Sequence, residues 1–117
     1  MGRLTTHVLD TSLGRPGEGM AITLDRIEGA HRTRLAAVVT NSDGRAEKPL
    51  LEGEAFAVGT YELTFAAGNY FDAAGVKLPD PKFLDDIVIR FGISSAGQHY
   101  HVPLLLSPFG YSTYRGS

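Results

Sequence analysis

The sequence predicts an all-β fold, an antiparallel β-sandwich of seven to eight short strands with one short helix. Two observations carry this prediction. Short stretches recur along the chain in which apolar residues alternate with polar ones, and a period of two is typical of a half-buried strand. Clusters of glycine, proline, asparagine and aspartate separate these stretches, as tight turns require. Strands of this kind bury one face by packing two sheets together.

Length and composition place the chain among ordinary globular proteins. Its 117 residues predict one domain over residues 1–117 that buries roughly 65% of its unfolded surface. The net charge of −2 gives no basic footprint for nucleic acid or an anionic membrane, and no apolar run approaches a bilayer span. Without cysteine there is no disulfide, thiol nucleophile or thiolate metal site. Because the first residues lack the apolar core of a secretory signal, we expect a cytoplasmic protein.

The pattern predicts one helix, one clear tight turn and eight strands at the following positions. The helix is expected at residues 69–74, where Asn69 can cap its start and Gly75 can end it. The Asp43-Gly44 pair marks a tight turn, because glycine accepts a positive φ angle. Strands are expected at residues 4–10, 20–25, 34–40, 48–51, 60–67, 87–91, 102–106 and 111–115.

Three polar residues are candidates for chemistry. In the first strand His7 shares a face with Thr5 and Leu9, and such a histidine is often simply hydrogen-bonded. Arg45 directly follows the tight turn, where an arginine is usually solvated. Together with His101, however, they form a set suited to adding water to a carbonyl group. One imidazole can take the proton of water, and the guanidinium can hold the developing oxyanion.

The second histidine belongs to a pair, His99 and His101, which share a strand face. Two imidazoles on one face can begin a zinc site, with His7 or His31 as a third ligand. The alternative is one partly exposed histidine and one in a polar pocket. The residues alone leave both hypotheses open.

The end of the chain keeps apolar and aromatic residues close to its last position. It closes on Tyr114-Arg115-Gly116-Ser117, four positions that bring together a phenol, a guanidinium, a small residue and a carboxylate. Termini are usually frayed and polar. We therefore expect this one to be held against the rest of the fold, so that its polar groups arrive at one place.

The chain shows no nucleophile elbow and no glycine-rich phosphate loop, which favours direct attack by water.

Three motifs resemble one known family, the 5-hydroxyisourate hydrolases, which are transthyretin-like proteins of urate breakdown. These motifs are Leu4-Thr5-Thr6-His7-Val8-Leu9-Asp10, Thr40-Asn41-Ser42-Asp43-Gly44-Arg45 and the stretch from His99 to Ser117. The terminal Tyr-Arg-Gly-Ser is the family's signature and separates the hydrolases from transthyretin. The resemblance covers the whole chain.

The resemblance implies a transthyretin-like sandwich, assembled as a homotetramer (a dimer of dimers) with its sites at the dimer–dimer interface. It implies that 5-hydroxyisourate is the substrate and that no cofactor or metal is needed. The family's catalytic histidine, arginine and histidine fall on His7, Arg45 and His101, and His7 and Arg45 also contact substrate. Tyr114 and Ser117 carry over as substrate-binding residues. His99 is not a catalytic position in the family pattern.

Two alternatives remain at this point. One is a small-ligand carrier that uses the same channel for hormone-type binding without catalysis, as transthyretin does. The other is a zinc hydrolase built on His7, His99 and His101. The expected reaction is opening of the six-membered ring of 5-hydroxyisourate by water, in purine catabolism, giving 2-oxo-4-hydroxy-4-carboxy-5-ureidoimidazoline.

Overall fold

A computed structural model describes residues 2–116 and contains two packed β-sheets and one short α-helix. The strands are β1 (Arg3–Asp10), β2 (Arg15–Pro16), β3 (Ala21–Glu28), β4 (His31–Val39), β5 (Leu51–Glu52), β6 (Gly59–Ala66), β7 (Asp86–Ile93), β8 (Tyr100–Ser107) and β9 (Gly110–Thr113). The first sheet has the strand order β2-β1-β8-β9, with β5 also paired to β1, and the second has the order β4-β3-β6-β7. Helix α1 covers Ala67–Ala73.

The predicted β-sandwich is confirmed, with one departure from its antiparallel pattern. Strands β1 and β8 run parallel over seven residue pairs, from Leu4 beside Tyr100 to Asp10 beside Leu106. Hairpin neighbours in sequence must be antiparallel, whereas strands this far apart are free to pair in either direction. Alternation within each strand holds no information about that choice. The consequence is that the first and the last long strand of the chain lie side by side.

Three predicted elements have boundaries that differ clearly from the structure. The strand expected at residues 48–51 is reduced to Leu51–Glu52. Helix α1 begins at Ala67 rather than at an Asn69 cap, because β6 continues straight into it and the N–H of Gly68 donates to the carbonyl of Asp85 at 3.0 Å. Gly75 does end the helix, with a φ of 78°. Strand β9 stops at Thr113 instead of continuing to residue 115. Beyond it the chain leaves β9 and makes a single backbone bridge between Gly116 and His101.

The core lies between the two sheets. Alternate residues of β1 and β8 point inward, including Leu4, Val8 and Leu104, and meet large side chains of the second sheet such as Tyr61 and Phe65. Burying alternate positions leaves the remaining ones on the outer face of the first sheet. Thr5, His7 and His101 occupy that outer face and are half-buried. Over residues 2–116, no helix is long and apolar enough to cross a membrane.

Candidate active site

His7 and His101 lie on neighbouring strands with their rings near one another. The register of β1 and β8 places Thr5 opposite His101 and His7 opposite Pro103, two residues further on. The two imidazole centroids are 6.3 Å apart and the ring planes differ by 28°. The parallel pair of strands therefore brings together two histidines that are 94 positions apart in the sequence, the difference between 101 and 7.

Arg45 is fixed beside His7 by the turn that precedes it. The side-chain oxygen of Asn41 accepts the backbone N–H groups of Asp43 at 2.9 Å and of Arg45 at 3.2 Å. The carbonyl of Gly44 accepts the N–H of Val8 at 2.8 Å, and the backbone of Arg45 forms a bridge to His7. Gly44 has a φ of 74°, and a Cβ there would lie 2.4 Å from the Val8 carbonyl oxygen. Only glycine fits this position, which holds the turn against β1.

A cavity opens on the outer face where these groups meet. Its volume is about 350 Å³, and its lining consists of Arg3, Thr5, Arg45, His99 and His101. A second cavity of about 240 Å³ shares Arg3, Thr5 and Arg45, and its further lining includes one cation, Lys48, and one carboxylate, Glu47. Both linings are rich in cationic and hydrogen-bonding side chains. Such a surface suits a small ligand with several carbonyl oxygens or a negative charge.

Both imidazoles are held in their neutral form. Burial lowers the pKa of His7 below its usual 6.5, and the Arg45 charge lowers it further, while Asp43 opposes them. Burial, Arg45 and His7 together lower the pKa of His101. A positive charge nearby disfavours a second one, and a half-buried site weakens solvation of the imidazolium. At neutral pH each ring therefore has a lone pair able to accept a proton.

The end of the chain is tied down next to His101, as predicted, as far as the structure describes it. The Gly116 N–H donates to the His101 carbonyl at 2.7 Å. Arg115 lies over the ring of Tyr100, 3.9 Å from its centroid, and donates to Gln98 Oε1 and the His99 carbonyl, each at 3.0 Å. The arginine of the terminal motif thus anchors the segment, and the glycine passes close to the His101 ring.

The other candidate residues are placed as follows. His99 is exposed and lines the same cavity as His101. Tyr114 is 60% exposed and lines a separate, mostly apolar cavity of about 250 Å³ beside Phe91 and Val102. His31 starts β4 in the other sheet. Ser117 lies outside the described residues. Within residues 2–116, no three His, Asp or Glu side chains are grouped so that they could hold a metal ion.

One residue of the site, Thr5, was not expected from sequence, whereas Gly116 belongs to the terminal segment that was expected there. Thr5 Oγ1 lies 2.8 Å from Nδ1 of His101, and a Cβ on Gly116 would lie 2.8 Å from the ring's Cδ2 atom. Alternation places Thr5 on the same face as His7. The alternation within β1 does not indicate which strand pairs with β1. The contact between Thr5 and His101 could therefore not be predicted from the sequence.

The fold and this site define a class of protein, a two-sheet β-sandwich in which two histidines and an arginine are grouped on the outer face of one sheet. The chain belongs to the HIUase/Transthyretin family, whose model matches residues 4–116.

Individual relatives agree with that assignment. The chain is 66% identical to 5-hydroxyisourate hydrolase 2 of Rhizobium meliloti, over 99% of this chain and 97% of that one. The structure of Klebsiella pneumoniae 5-hydroxyisourate hydrolase superposes with a TM-score of 0.83 at 38% identity, over the full length of both chains. The structure of (S)-allantoin synthase gives a TM-score of 0.95 at 50% identity and matches 99% of this chain. This chain spans only 44% of that longer protein.

Proposed function

We propose that this protein is an enzyme of urate catabolism that hydrolyses 5-hydroxyisourate to 2-oxo-4-hydroxy-4-carboxy-5-ureidoimidazoline. Full-length relatives named for this hydrolase support the substrate. The observation that carries the chemistry is the grouping of three side chains: Arg45 and His101 line one cavity, and the His7 ring lies 6.3 Å from the His101 ring. Burial and the Arg45 charge lower the pKa of both histidines, which favours their neutral form. That combination supplies proton acceptors and a fixed positive charge without a covalent nucleophile.

The proposed mechanism follows from what ring opening needs. Water attacks the carbonyl of the six-membered ring, and an imidazole removes its proton as the C–O bond forms. The carbonyl oxygen becomes an oxyanion, which the Arg45 guanidinium stabilises and orients. When the C–N bond breaks, the imidazolium or its partner returns a proton to the leaving nitrogen. His7 and His101 share these transfers, each typically worth about 10²–10⁴-fold in rate.

Tyr114 and Ser117 complete the proposal as substrate-binding residues of the terminal motif. The anchoring of Arg115 and Gly116 beside His101 supports a role for this segment. Tyr114 does not line the His101 cavity within one chain. We therefore assign its contact to a site that a neighbouring subunit helps to form, tested by turnover of Tyr114→Phe in the assembled protein.

Turnover tests the assignment directly. The decay of freshly generated 5-hydroxyisourate is followed by ultraviolet absorbance with wild type, His7→Asn and His101→Asn. We expect wild type to accelerate the decay and each variant to lose about 10²–10⁴-fold of kcat/KM. His31→Asn, an exposed histidine of the other sheet, is the matched control and should keep full activity. A wild-type protein that does not speed the decay, or a fully active His101→Asn, would overturn the proposal.

The two alternatives predict different behaviour. A small-ligand carrier would bind a hormone-type ligand tightly without turnover, and loss of the two imidazoles would leave that binding intact. A zinc hydrolase would lose activity after exhaustive treatment with a chelator. The lowered pKa values of His7 and His101 favour the hydrolase over the carrier, because ligand binding alone has no need for proton acceptors.

The assembly and location of the enzyme are also proposals. We propose a homotetramer, a dimer of dimers with sites at the dimer–dimer interface, which places the half-exposed imidazoles in an enclosed channel. The free outer edges of β7 and β9 are available for pairing with another subunit. Light scattering on the purified protein should give four times the mass of one chain. A cytoplasmic location stays a prediction, to be checked by cell fractionation.

A further inference from the structure

The His101 ring has one hydrogen-bond partner within residues 2–116, the side chain of Thr5. The Thr5 Oγ1 atom lies 2.8 Å from Nδ1 of the imidazole. The two residues are direct partners in the parallel pairing of β1 and β8, so both side chains stand on the outer face of the sheet. Both also line the cavity of about 350 Å³. The contact therefore lies inside the candidate active site.

The direction of this hydrogen bond decides which nitrogen of His101 can act as a base. A neutral imidazole has one N–H donor and one acceptor nitrogen, and a threonine hydroxyl both donates and accepts. If the hydroxyl donates, the proton of the ring lies on Nε2 and the lone pair at Nδ1 is occupied. If the hydroxyl accepts, the proton lies on Nδ1 and the lone pair at Nε2 remains available for water.

We propose that Thr5 is the positioning residue of His101, accepting its Nδ1–H so that Nε2 faces the reaction with a free lone pair. This inference rests on the proposed hydrolysis, in which His101 takes part in proton transfer. The same hydrogen bond persists when Nε2 gains a proton, because an imidazolium donates from both nitrogens. Thr5 thus holds one ring orientation through both protonation states.

The main chain around His101 is held independently of Thr5, so the proposed positioning depends on the Thr5 hydroxyl and not on the strand pairing. The β1–β8 ladder and the bond from the Gly116 N–H to the His101 carbonyl fix the main chain on both sides of the ring. Valine keeps the β-branched shape of threonine and suits a strand equally well. Replacing Thr5 by valine therefore removes the acceptor while the fold retains its pairing.

The experiment compares Thr5→Val with Thr5→Ser, which keeps a hydroxyl, and with Thr33→Val on exposed β4 as the control. Nitrogen-15 NMR of the ring of His101 reports which nitrogen carries the proton, and the ultraviolet assay gives kcat and KM. We expect the wild-type proton on Nδ1 and a loss of this preference in Thr5→Val. We also expect kcat of Thr5→Val to fall about tenfold with KM within about twofold. Thr5→Ser should restore most of the rate, and Thr33→Val should match wild type.

Three outcomes of these measurements would contradict the proposed role of Thr5. A wild-type proton on Nε2 of His101 reverses the assigned hydrogen bond. Unchanged kcat in Thr5→Val, or a Thr5→Ser variant as slow as Thr5→Val, shows that the hydroxyl does not act through the ring. A wild-type protein without hydrolase activity contradicts the proposed function instead, and the NMR measurement on wild type still decides the tautomer.

Discussion

At the scale of single residues, burial and the charge of Arg45 act in the same direction on the pKa of both histidines. Together they lower the pKa of His7 and of His101 below the ordinary 6.5. A lowered pKa means that each ring stays neutral, and able to accept a proton, down to more acidic pH than a free histidine. In the proposed mechanism, the side chain that stabilises the oxyanion thus also adds to the effect of burial on the pKa of both proposed bases.

The pH dependence of kcat/KM tests this coupling. On the acid side we expect the wild-type rate to fall only below about pH 6.5, because both histidines then become protonated. Arg45→Gln should lower the rate about 10²–10³-fold by removing oxyanion stabilisation, and should also move the acid limb to higher pH. Asp43→Asn should move the limb the other way, because Asp43 raises the pKa of His7. An acid limb at the same pH in Arg45→Gln would contradict the electrostatic argument.

Gly116 provides a second test at this scale. A methyl group there would lie 2.8 Å from Cδ2 and 3.1 Å from Cβ of His101, closer than carbon atoms tolerate. We expect Gly116→Ala to push the imidazole aside and reduce kcat/KM about tenfold or more, with no loss of thermal stability. Gly97→Ala is the matched control, since a Cβ at Gly97 has nothing within 4 Å. Equal activity in the two variants would show that the ring tolerates the methyl group.

At the scale of elements, the strands carry the fold and the terminal segment lies against His101. Among residues 2–116, the core is built mainly from the long strands and α1 and includes no residue after Leu106. The segment beyond β9 is attached through Arg115 and Gly116 to the residues just before and within β8. Arg115 also lies over the ring of Tyr100, so the segment contacts the edge of the core as well as the residues around His101.

Deleting residues 114–117 separates these two roles. We expect the shortened protein to keep its circular dichroism spectrum and a thermal midpoint close to that of wild type. Turnover of 5-hydroxyisourate should fall at least about tenfold, because the segment that packs against His101 is lost. Full turnover by the shortened chain would remove the terminal motif from the active site.

The elements also show what the sequence could and could not predict. Alternation found the long strands and the side of β1 that carries His7, because burial of every second residue is a local property. The pairing of β1 with β8 was not predictable, because strand partners are chosen through packing over the whole chain. The motifs identified His7, Arg45 and His101 through family resemblance. Thr5 was not predicted as a site residue, because its contact with His101 depends on the pairing of β1 with β8.

At the scale of the whole molecule, the second sheet carries a row of charges across its outer face. Asp25 and Glu62 are neighbours on β3 and β6, and both are almost fully buried. Arg32 bridges the two carboxylates at 3.0 and 2.7 Å, while Arg34 pairs with Asp25 and Arg90 with Glu62. Burial tends to raise the pKa of Asp25, but the bonds from Arg34 and Arg32 outweigh it and lower that pKa. The Arg32 hydrogen bond lowers the pKa of Glu62 against the opposing effect of burial.

The paired carboxylates of Asp25 and Glu62 predict how the free energy of unfolding depends on pH. A carboxyl group whose pKa is lower in the folded state binds protons more readily when unfolded. Its stabilisation is complete above the ordinary values of 3.8 and 4.5 and is lost as the pH falls through the folded-state values. Thermal unfolding should accordingly show a midpoint that drops as the pH is lowered below about 4.5. Glu62→Gln should reduce both the midpoint at neutral pH and the acid dependence, whereas exposed Glu28→Gln should change neither.

The parallel pairing of β1 with β8 also has a consequence for how the protein is made. Thr5 and His101 are partners separated by 96 positions, so their pairing closes one of the longest loops that the chain contains. Loops of this length form late in folding, because their entropy must be lost before any contact is gained. During synthesis, β1 leaves the ribosome first and has to wait for β8 before the catalytic face exists. Activity should therefore appear only after β8 has been synthesised, and a nascent chain stalled before β8 should be inert.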